Sequence, residues 1–358
     1  MIREITVEEL DNLSKPVLID VRSEGEFEEA TIPGSLNIPL LDNTERAEVG
    51  TVYAKVSTHA ARELGLKIVS PKLPSLVNKV QELSKQGPLV IFCWRGGMRS
   101  KSICNVLETM GISAYRLQGG YKAYRRMVND FFDQNFPFHI VVLRGNTGVG
   151  KTEVLNRLRQ DGYPALDLEK LANNRGSVFG DIGLGASPTQ KNFEALIFEE
   201  IKTFNCQPYI VVECESKRIG RVILPSSFHA AMQQGIQVLL HDTVTNRVKR
   251  LLNEYTSVPD AVNQIKLALN RLTKILGHKK ISEYHLLLEE GRLDEFTEKL
   301  LDYYDSLYRY PNEPSSQFEY SIDCSEPDKG LRELEQYLDQ IFSSRKERDL
   351  FRIQHSAK

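Results

Sequence analysis

The sequence predicts an α/β protein of two units, each with a mainly parallel sheet, the second of which carries a helical insertion. In residues 1–130, compact apolar runs such as LVIFC (89–93) alternate with helical patterns. This alternation is typical of parallel strands joined by crossover helices. A second alternation begins with HIVVLRG (139–145), so the second unit is predicted to comprise residues 138–358. Residues 129–137 are interpreted as the connection between the two units.

The second unit is predicted to contain its insertion just before its last strand. YIVVECES (209–216) and IQVLLHD (236–242) are apolar runs of strand length. Residues from about 244 to 312 have apolar side chains at helical spacing and no clear strand. FEYSID (318–323) predicts the final strand, and a helix is expected at about 328–343.

The composition is that of an ordinary globular protein. The chain has 358 residues, of which 41% are hydrophobic and 26% charged, with a formal net charge of −2. Binding to nucleic acid would therefore need a local basic patch. No apolar run approaches the roughly 18 residues of a membrane span, and the N-terminal ten residues contain no apolar stretch. We therefore expect a cytoplasmic protein with no membrane partner.

The stretch FCWRGGMRS (92–100) predicts an anion-binding loop around a nucleophilic cysteine, Cys93. Because it connects a predicted strand to a predicted helix, backbone N–H groups and the positive end of the helix dipole converge there. Such a site favours the thiolate form of a cysteine. The residues expected to form the cradle around the anion are Arg95, Gly96, Gly97 and Arg99.

Two other interpretations of this loop remain open. Cys93 would be a structural cysteine if it were simply buried at the end of the strand. The spacing from Cys93 to Arg99 also matches cysteine-dependent phosphatases, although Phe92 precedes the cysteine and no general acid is evident. The remaining cysteines have no such loop, form no zinc spacing and are predicted to be structural; they are Cys104, Cys206, Cys214 and Cys324.

The stretch GNTGVGKT (145–152) satisfies the P-loop pattern G-x-x-x-x-G-K-[ST] between a predicted strand and a predicted helix. Its backbone N–H groups are expected to surround a diphosphate, with Lys151 supplying charge and Thr152 in reach of a Mg²⁺ ion. The pattern selects a diphosphate without naming it, and ATP is the commonest such ligand. The predicted diphosphate-binding residues are Gly145, Asn146, Thr147, Gly148, Val149, Gly150, Lys151 and Thr152.

Three carboxylates are candidates for the cleft beside the P-loop. Glu213 ends a predicted strand, where an acidic residue commonly lies near a bound metal, and Glu215 would share its face. Asp167 follows the run YPAL and either faces the cleft or caps the next helix. The two glutamates are alternatively surface carboxylates at the end of the strand.

Two stretches of the first unit resemble the signatures of rhodanese domains. These are LIDVRSEGEFEEATIPGSLNIPL (18–40) and LQGGYKAYR (117–125). The resemblance implies a rhodanese-like fold in which the loop cysteine accepts a sulfur or selenium atom. One departure is Ala30-Thr31, where the family usually has Gly-His. It argues against a role for a histidine at this position.

Four further stretches extend the resemblance over almost the whole chain. ERAEVGTVY (45–53), DLEKLANNRGSVFG (167–180), SPTQKNFE (187–194) and ECESKRIGRVILP (213–225) resemble the tRNA 2-selenouridine synthase family. The resemblance implies a transferase that converts 2-thiouridine at the wobble position of tRNA to 2-selenouridine. It implies selenophosphate and geranyl diphosphate as co-substrates, an S-geranyl intermediate, Mg²⁺ as a candidate cofactor and a selenophosphate supplier as a candidate partner.

The resemblance also points to residues around the P-loop. Arg175 and Ser177 lie in a family motif near the cleft, and Arg218 and Arg221 flank a turn where they would bind phosphate or tRNA. The alternatives are that the first two residues lie in a structural loop and that the last two are solvated surface arginines. The stretch RLTKILGHKK (271–280) is the best local basic patch, predicted along one side and at the C-terminal end of a helix. Its candidate tRNA contacts are Arg271, Lys274, Lys279 and Lys280, although the helix dipole alone also favours cations there.

Two other functional classes remain open from the residues alone. One is a small-molecule kinase or ATPase with a rhodanese sulfurtransferase domain. The other is a non-catalytic carrier of sulfur or selenium on a nucleotide-binding scaffold. A kinase would transfer or hydrolyse the γ-phosphate of ATP, whereas a prenyl transferase would not require ATP.

Overall fold

The computed structural model describes residues 3–204, 207–213, 216–256 and 260–356, with side chains described in these ranges except at 254–256 and 343–356. The chain divides into two compact units. The first comprises Met1–Asp133 with the short segment Glu194–Leu196, and the second comprises Gln134–Phe193 and Ile197–Lys358. Within the described residues, no helix is long and apolar enough to cross a membrane.

The first unit is built on a five-stranded sheet with strand order β1-β5-β4-β2-β3, in which all neighbours are parallel. Its strands are β1 (Arg3–Ile5), β2 (Val17–Asp20), β3 (Leu36–Asn37), β4 (Leu89–Phe92) and β5 (Ala114–Leu117). Its helices are α1 (Glu24–Glu29), α2 (Asn43–Lys55), α3 (Thr58–Val69), α4 (Leu73–Leu83), α5 (Met98–Thr109) and α6 (Gly120–Asp133), with 3₁₀-helices at Glu8–Asn12 and Ser70–Lys72.

The central strand β4 explains where the loop cysteine lies. All four residues of LVIF are buried, as expected for a strand covered on both faces of a parallel sheet. On one face they pack with apolar side chains of α4 and α5, such as Val80 and Ile103. The chain leaves the carboxyl end of β4 at Cys93 and enters α5 at Met98. Cys93 therefore lies at the edge of the sheet where parallel α/β folds bind ligands.

The second unit has a five-stranded sheet and a separate two-stranded hairpin. Its strands are β6 (His139–Arg144), β7 (Ala165–Leu166), β8 (Tyr209–Glu213), β9 (Arg218–Ile219), β10 (Val222–Ile223), β11 (Ile236–His241) and β12 (Tyr320–Asp323). Its helices are α7 (Lys151–Gln160), α8 (Leu168–Ala172), α9 (Gln190–Lys202), α10 (Ser226–Gln234), α11 (Val244–Thr256), α12 (Ala261–Arg271), α13 (Thr273–Leu276), α14 (His278–Glu289), α15 (Leu293–Tyr308) and α16 (Pro327–Ser356).

In the second sheet, β6 is the central strand and the order is β12-β11-β6-β8-β7, again with parallel neighbours. The loop from β6 to α7 therefore opens at the middle of the carboxyl edge of the sheet, between the ends of β8 and β11. Five helices, α11 to α15, separate β11 from β12. The α/β class with parallel sheets predicted from the sequence is confirmed.

The helical insertion has its own apolar core. Leu269 of α12, Leu287 of α14 and Leu300 of α15 are buried together. Phe179 and Ile182, from the segment after α8, pack into the same cluster. The motif at 167–180 is thus fixed partly by the insertion, far along the chain.

Two boundaries differ from the sequence-based expectation. Residues 129–133, expected in the connection between the units, form the end of α6 because Val128 and Phe132 continue its buried face. The last helix runs to Ser356 rather than to about 343. Its Leu334 and Leu338, at helical spacing, are fully buried in the core of the second sheet.

Candidate functional site

The loop after β4 is held by the second rhodanese-like stretch. The N–H groups of Tyr121 and Lys122 donate to the carbonyls of Cys93 and Trp94, each at 2.9 Å. A Cβ at Gly120 would lie 2.1 Å from the carbonyl oxygen of Cys93. The glycine at position 120 is therefore required by the close approach of two backbones.

Cys93 is only 3% exposed. Its Sγ lies 3.3 Å from the hydroxyl oxygen of Ser100 in the first turns of α5. Gly96 adopts φ +63 and turns the chain back toward the helix, while Gly97 occupies the N-cap of α5. The sulfur thus lies beside a helix N-terminus, where an anionic group is stabilised.

The two arginines of the predicted cradle differ in their surroundings. Arg95 is exposed. Arg99 forms a bidentate pair with Glu26 at 2.6 and 3.1 Å. Burial opposes the charge of Arg99, but the hydrogen bond and charge of Glu26 prevail and raise the pKa of the guanidinium. The charge of Arg99 is therefore balanced at least in part by a carboxylate.

A buried ion pair supports the loop that contains Cys93. Asp20 and Arg22 are 0% and 1% exposed and are joined at 2.6 Å. Thr31 donates to Asp20 at 3.0 Å, so the residue in the family's usual histidine position serves the buried carboxylate. The guanidinium of Arg22 lies 4.3 Å from the ring centroid of Tyr121, which connects this pair to the start of α6.

The P-loop of the second unit encloses an anion-binding turn. Gly145, Gly148 and Gly150 all have positive φ, at +145, +80 and +98. A Cβ at Gly145 would lie 2.3 Å from the carbonyl oxygen of Leu240, so a side chain cannot be accommodated there. Lys151 donates to the carbonyl of Gly145 at 2.6 Å, which places its ammonium group over the loop.

Glu213 lies at the base of this turn. The hydroxyl of Thr152 donates to its carboxylate at 3.1 and 3.2 Å. Glu213 is 2% exposed, and burial, reinforced by the negative charges of Glu169 and Asp167, raises its pKa well above the ordinary value. The hydroxyl and carboxylate occupy the positions in which P-loop proteins place groups around Mg²⁺. Within the described residues, no group of three or more His, Cys, Asp or Glu side chains is arranged to hold a metal ion.

The P-loop opens into a cavity of about 610 Å³. Its polar lining includes the P-loop from Thr147 to Thr152. It also has apolar and aromatic side chains, which we call the apolar wall. These are Ile219, Leu251, Leu307, Tyr308 and Tyr310. Phosphate-binding groups and apolar surface are therefore exposed to the same cavity.

The structure brings some, but not all, of the predicted cleft residues to this cavity. Arg175, Ser177, Glu213 and Arg218 line it, whereas Arg221 and Asp167 do not. Asp167 caps α8 by accepting from the N–H of Lys170 at 2.8 Å, so the capping alternative is the one observed. Glu215 lies outside the described residues, as do Cys206 and Cys214.

The predicted helical patch at 271–280 is wrong in its geometry. Arg271 ends α12 and forms an ion pair with Asp181 at 2.9 Å. Gly277, with φ +81, ends α13, and the following residues begin α14. Lys279 and Lys280 are therefore in the first turn of a helix rather than at a C-terminal end. The glycine breaks the helix because left-handed backbone is accessible to it at little cost.

Several cavity residues were not identified from the sequence. Glu169 and Arg250 line the cavity, and Arg250 donates to the carbonyl of Gly148 at 3.1 Å. The apolar wall comes from β9, α11, the end of α15 and Tyr310. The only sequence signal for it is the aromatic run YRY at 308–310, which is otherwise unexceptional in a helical insertion.

Two of the cysteines that were predicted to be structural are buried. Cys104 is 2% and Cys324 is 4% exposed. Burial raises the pKa of each thiol to about 12. Both side chains belong to apolar clusters.

Comparison with known families accounts for nearly the whole chain. Residues 138–326 match the model described as the tRNA 2-selenouridine synthase AAA domain, and residues 6–127 match the rhodanese-like domain. The two models thus coincide with the cavity-bearing and cysteine-bearing units respectively.

Three relatives are each named tRNA 2-selenouridine synthase. The protein from Pseudomonas syringae pv. syringae is 34% identical over 349 residues, which cover 88% of this chain and 94% of the relative. That from Nitrosomonas eutropha is 36% identical and covers 74% and 69%. That from Psychromonas ingrahamii is 30% identical and covers 83% and 88%. The resemblance inferred from the motifs is confirmed, and the chain belongs to the tRNA 2-selenouridine synthase family.

Proposed function

We propose that this protein converts 2-thiouridine at the wobble position of tRNA to 2-selenouridine in two steps. The first step is S-geranylation with geranyl diphosphate in the P-loop cavity. The second is replacement of the alkylated sulfur by selenium from selenophosphate, with delivery at Cys93. Family membership supports the overall conversion, and the apolar wall in the cavity of the P-loop is the observation that supports the geranyl step.

The apolar wall is the feature that supports a prenyl group as the ligand. Leu307 is 56% exposed, so a hydrocarbon chain that packs on it would remove apolar surface from water. Each buried CH₂ group contributes about 0.8 kcal/mol. The P-loop supplies backbone N–H groups and Lys151 for the diphosphate.

The geranyl step requires an oriented sulfur and a stabilised leaving group. The sulfur attacks the carbon bonded to the diphosphate, the C–O bond breaks, and its electron pair leaves with pyrophosphate. The ring N3 loses its proton, so the alkylated base is neutral. Lys151 and the loop N–H groups stabilise the charge that develops on the leaving pyrophosphate. Thr152 would hold Mg²⁺ together with diphosphate oxygens, and the ion would neutralise part of the same charge.

The second step exchanges the sulfur substituent. The Cys93 thiolate attacks the phosphorus of selenophosphate, the P–Se bond breaks, and hydroselenide is released; water later hydrolyses the S–P bond and phosphate leaves. The hydroselenide adds at C2 of the base, the C2–S bond breaks, and the sulfur takes a proton and leaves as geranyl thiol. We assign delivery of selenium to Cys93 because it combines a buried sulfur, a surrounding backbone loop and the N-terminus of α5.

The direct test is to incubate the protein with 2-thiouridine tRNA, geranyl diphosphate and selenophosphate and to analyse the nucleosides by mass spectrometry. We expect S-geranyl-2-thiouridine without selenophosphate and 2-selenouridine with it, both in the absence of ATP. An ATP requirement with γ-phosphate transfer would favour a kinase instead.

A variant tests the cavity separately. Leu307→Asn should weaken binding of geranyl diphosphate by about tenfold but leave binding of inorganic pyrophosphate unchanged, because only the apolar wall is altered. Leu286→Asn is the matched control, since Leu286 is similarly exposed, at 52%, but does not line the cavity. Equal loss for both ligands would argue against a prenyl site.

A further inference from the structure

The segment after β8 forms a hairpin that is fixed on both sides. β9 and β10 pair antiparallel with Ile219 opposite Val222, and both side chains are 1% exposed. Gly220, at φ +55, lies so close to Asn174 that a Cβ would be 2.8 Å from its side chain. The side-chain oxygen of Gln190 accepts from the N–H of Ile223 in β10 at 2.9 Å. The side-chain nitrogen of Gln190 donates to the carbonyl of Ile223 at 2.7 Å. The hairpin is thus a firmly supported element rather than a loose loop.

This element, which we call the basic hairpin (residues 217–223), carries three exposed cations. They are Lys217, Arg218 and Arg221. Lys217 lies 3.2 Å from the hydroxyl of Ser226, and none of the three has an ion-pair partner among the residues that the structure describes. Burial and the positive charges of Lys217 and Arg144 lower the pKa of nearby His229, as expected where positive charge is not compensated.

The basic hairpin borders the P-loop cavity. Arg218 and Ser216 line the cavity together with Lys151. In the proposed first step, the sulfur of the base must reach the carbon attached to the diphosphate. The phosphates that flank this nucleotide are joined to its base through a single ribose. They must therefore pass close to the cavity, and Arg218 and Ile219 of the hairpin line that cavity.

The other basic stretch does not meet this requirement. Arg271 is paired with Asp181, and none of the cations at 271–280 lines the cavity. Lys274, Lys279 and Lys280 are exposed, but they are distributed over two helices on the insertion. They form a natural comparison for a test of RNA binding.

We propose that the basic hairpin binds the phosphate backbone of tRNA next to the nucleotide whose sulfur enters the cavity. Lys217 and Arg221 contact phosphates outside the cavity, and Arg218 contacts the phosphate nearest to its mouth. The partner is RNA because regularly spaced phosphates match unpaired lysine and arginine side chains without any need for base-specific contacts. This inference rests on the proposed function, since it assumes that the modified base enters the P-loop cavity.

The test compares two double variants of the full chain. The hairpin variant combines Lys217→Ala and Arg221→Ala, and the insertion variant combines Lys274→Ala and Lys279→Ala. Binding of 2-thiouridine tRNA is measured as a function of salt, and binding of geranyl diphosphate is measured without tRNA. All four side chains are exposed, so both variants should fold, which thermal unfolding checks.

We expect the hairpin variant to bind tRNA about tenfold more weakly near 0.1 M salt. Its plot of log affinity against log salt should be shallower by about 1.4 to 1.8, the effect of two lost phosphate contacts. Geranyl diphosphate binding should not change, and the insertion variant should match the wild type. Wild-type affinity and slope in the hairpin variant, or loss only in the insertion variant, would overturn the inference. If the wild type binds geranyl diphosphate but no tRNA, the proposed function fails as well.

Discussion

Arg247 of α11 and Asp305 of α15 form a bidentate ion pair, at 2.8 and 2.6 Å, within the helical insertion. The guanidinium is fully buried, and its Nε donates to the carbonyl of Thr147 at 2.8 Å. The side chain of Asn146 donates to the carbonyl of Tyr310 at 2.9 Å. The diphosphate loop and the apolar wall of the cavity are therefore held in register by side chains that would not contact the substrate.

The first prediction concerns this pair. Asp305→Ala should destabilise the protein by about 3 kcal/mol, because it leaves a buried guanidinium without its partner. Asp305→Asn, which keeps one acceptor, should lose less. The free energy of unfolding from urea titrations gives the measurement. Glu283→Ala is the control, because it removes an ion-pair partner of exposed Lys299, which lies on α15 as Asp305 does. This variant should leave the free energy of unfolding unchanged. An equal loss of stability in it would show that the Arg247–Asp305 pair has no special effect.

The second prediction concerns the loop cysteine. Cys93→Ser should reduce 2-selenouridine formation to below about 1% of wild type, because a serine hydroxyl cannot replace the thiolate nucleophile. S-geranylated tRNA should accumulate, since no protein thiol takes part in alkylation. Nucleoside mass spectrometry reports both products. Cys104→Ser is the matched control because Cys104 is buried in the same cluster but lies on α5 rather than in the loop after β4.

Two outcomes would contradict the assignment of geranylation to the P-loop and of selenium delivery to Cys93. If folded Cys93→Ser protein fails to geranylate tRNA, the two steps are not separable as proposed. If it still makes 2-selenouridine at the wild-type rate, Cys93 does not deliver selenium.

The third prediction concerns the P-loop lysine. Lys151→Ala should lower kcat/KM for geranylation by about 100-fold or more, because the charge that faces the departing pyrophosphate is lost. The variant should make neither product from 2-thiouridine tRNA. Supplying tRNA that is already geranylated should restore selenation. No rescue, with tRNA binding intact, would mean that the P-loop also acts in the second step.

The fourth prediction uses the pH dependence of stability. The pKa of Glu213 is raised in the folded state, chiefly by burial, so folding favours its neutral form. The neutral carboxyl group costs no stability below the ordinary pKa of about 4.3. As pH rises from there toward the raised pKa of the folded state, the unfolded protein ionises more readily and stability is lost. Glu213→Gln should therefore raise the thermal midpoint of the ligand-free protein by a few degrees at pH 8, and the gain should shrink toward pH 4. A pH-independent difference would show that charge burial is not its cause.

The sequence alone determined the central strands and the two glycine-containing loops. LVIF in β4 and IVVL within β6 are continuous apolar runs, which a parallel sheet covered on both faces requires, and both are strands. The glycine pattern at 145–150 fixes a turn of positive φ whatever surrounds it. Local chemistry therefore sufficed to predict where a cysteine and a diphosphate-binding turn would lie in the chain.

Tertiary structure alone decided which side chains share a site. Arg99 pairs with Glu26, which is 73 positions away in the sequence. Arg247 donates to Thr147 of the P-loop, which is 100 positions away. Periodicity gives the face of an element but not its partner, so neither pairing is visible in the sequence. The apolar wall, too, consists of ordinary residues such as Leu251 and Leu307, which line the cavity only because the insertion folds back beside the P-loop. Those contacts depend on packing between distant segments, which local propensity does not encode.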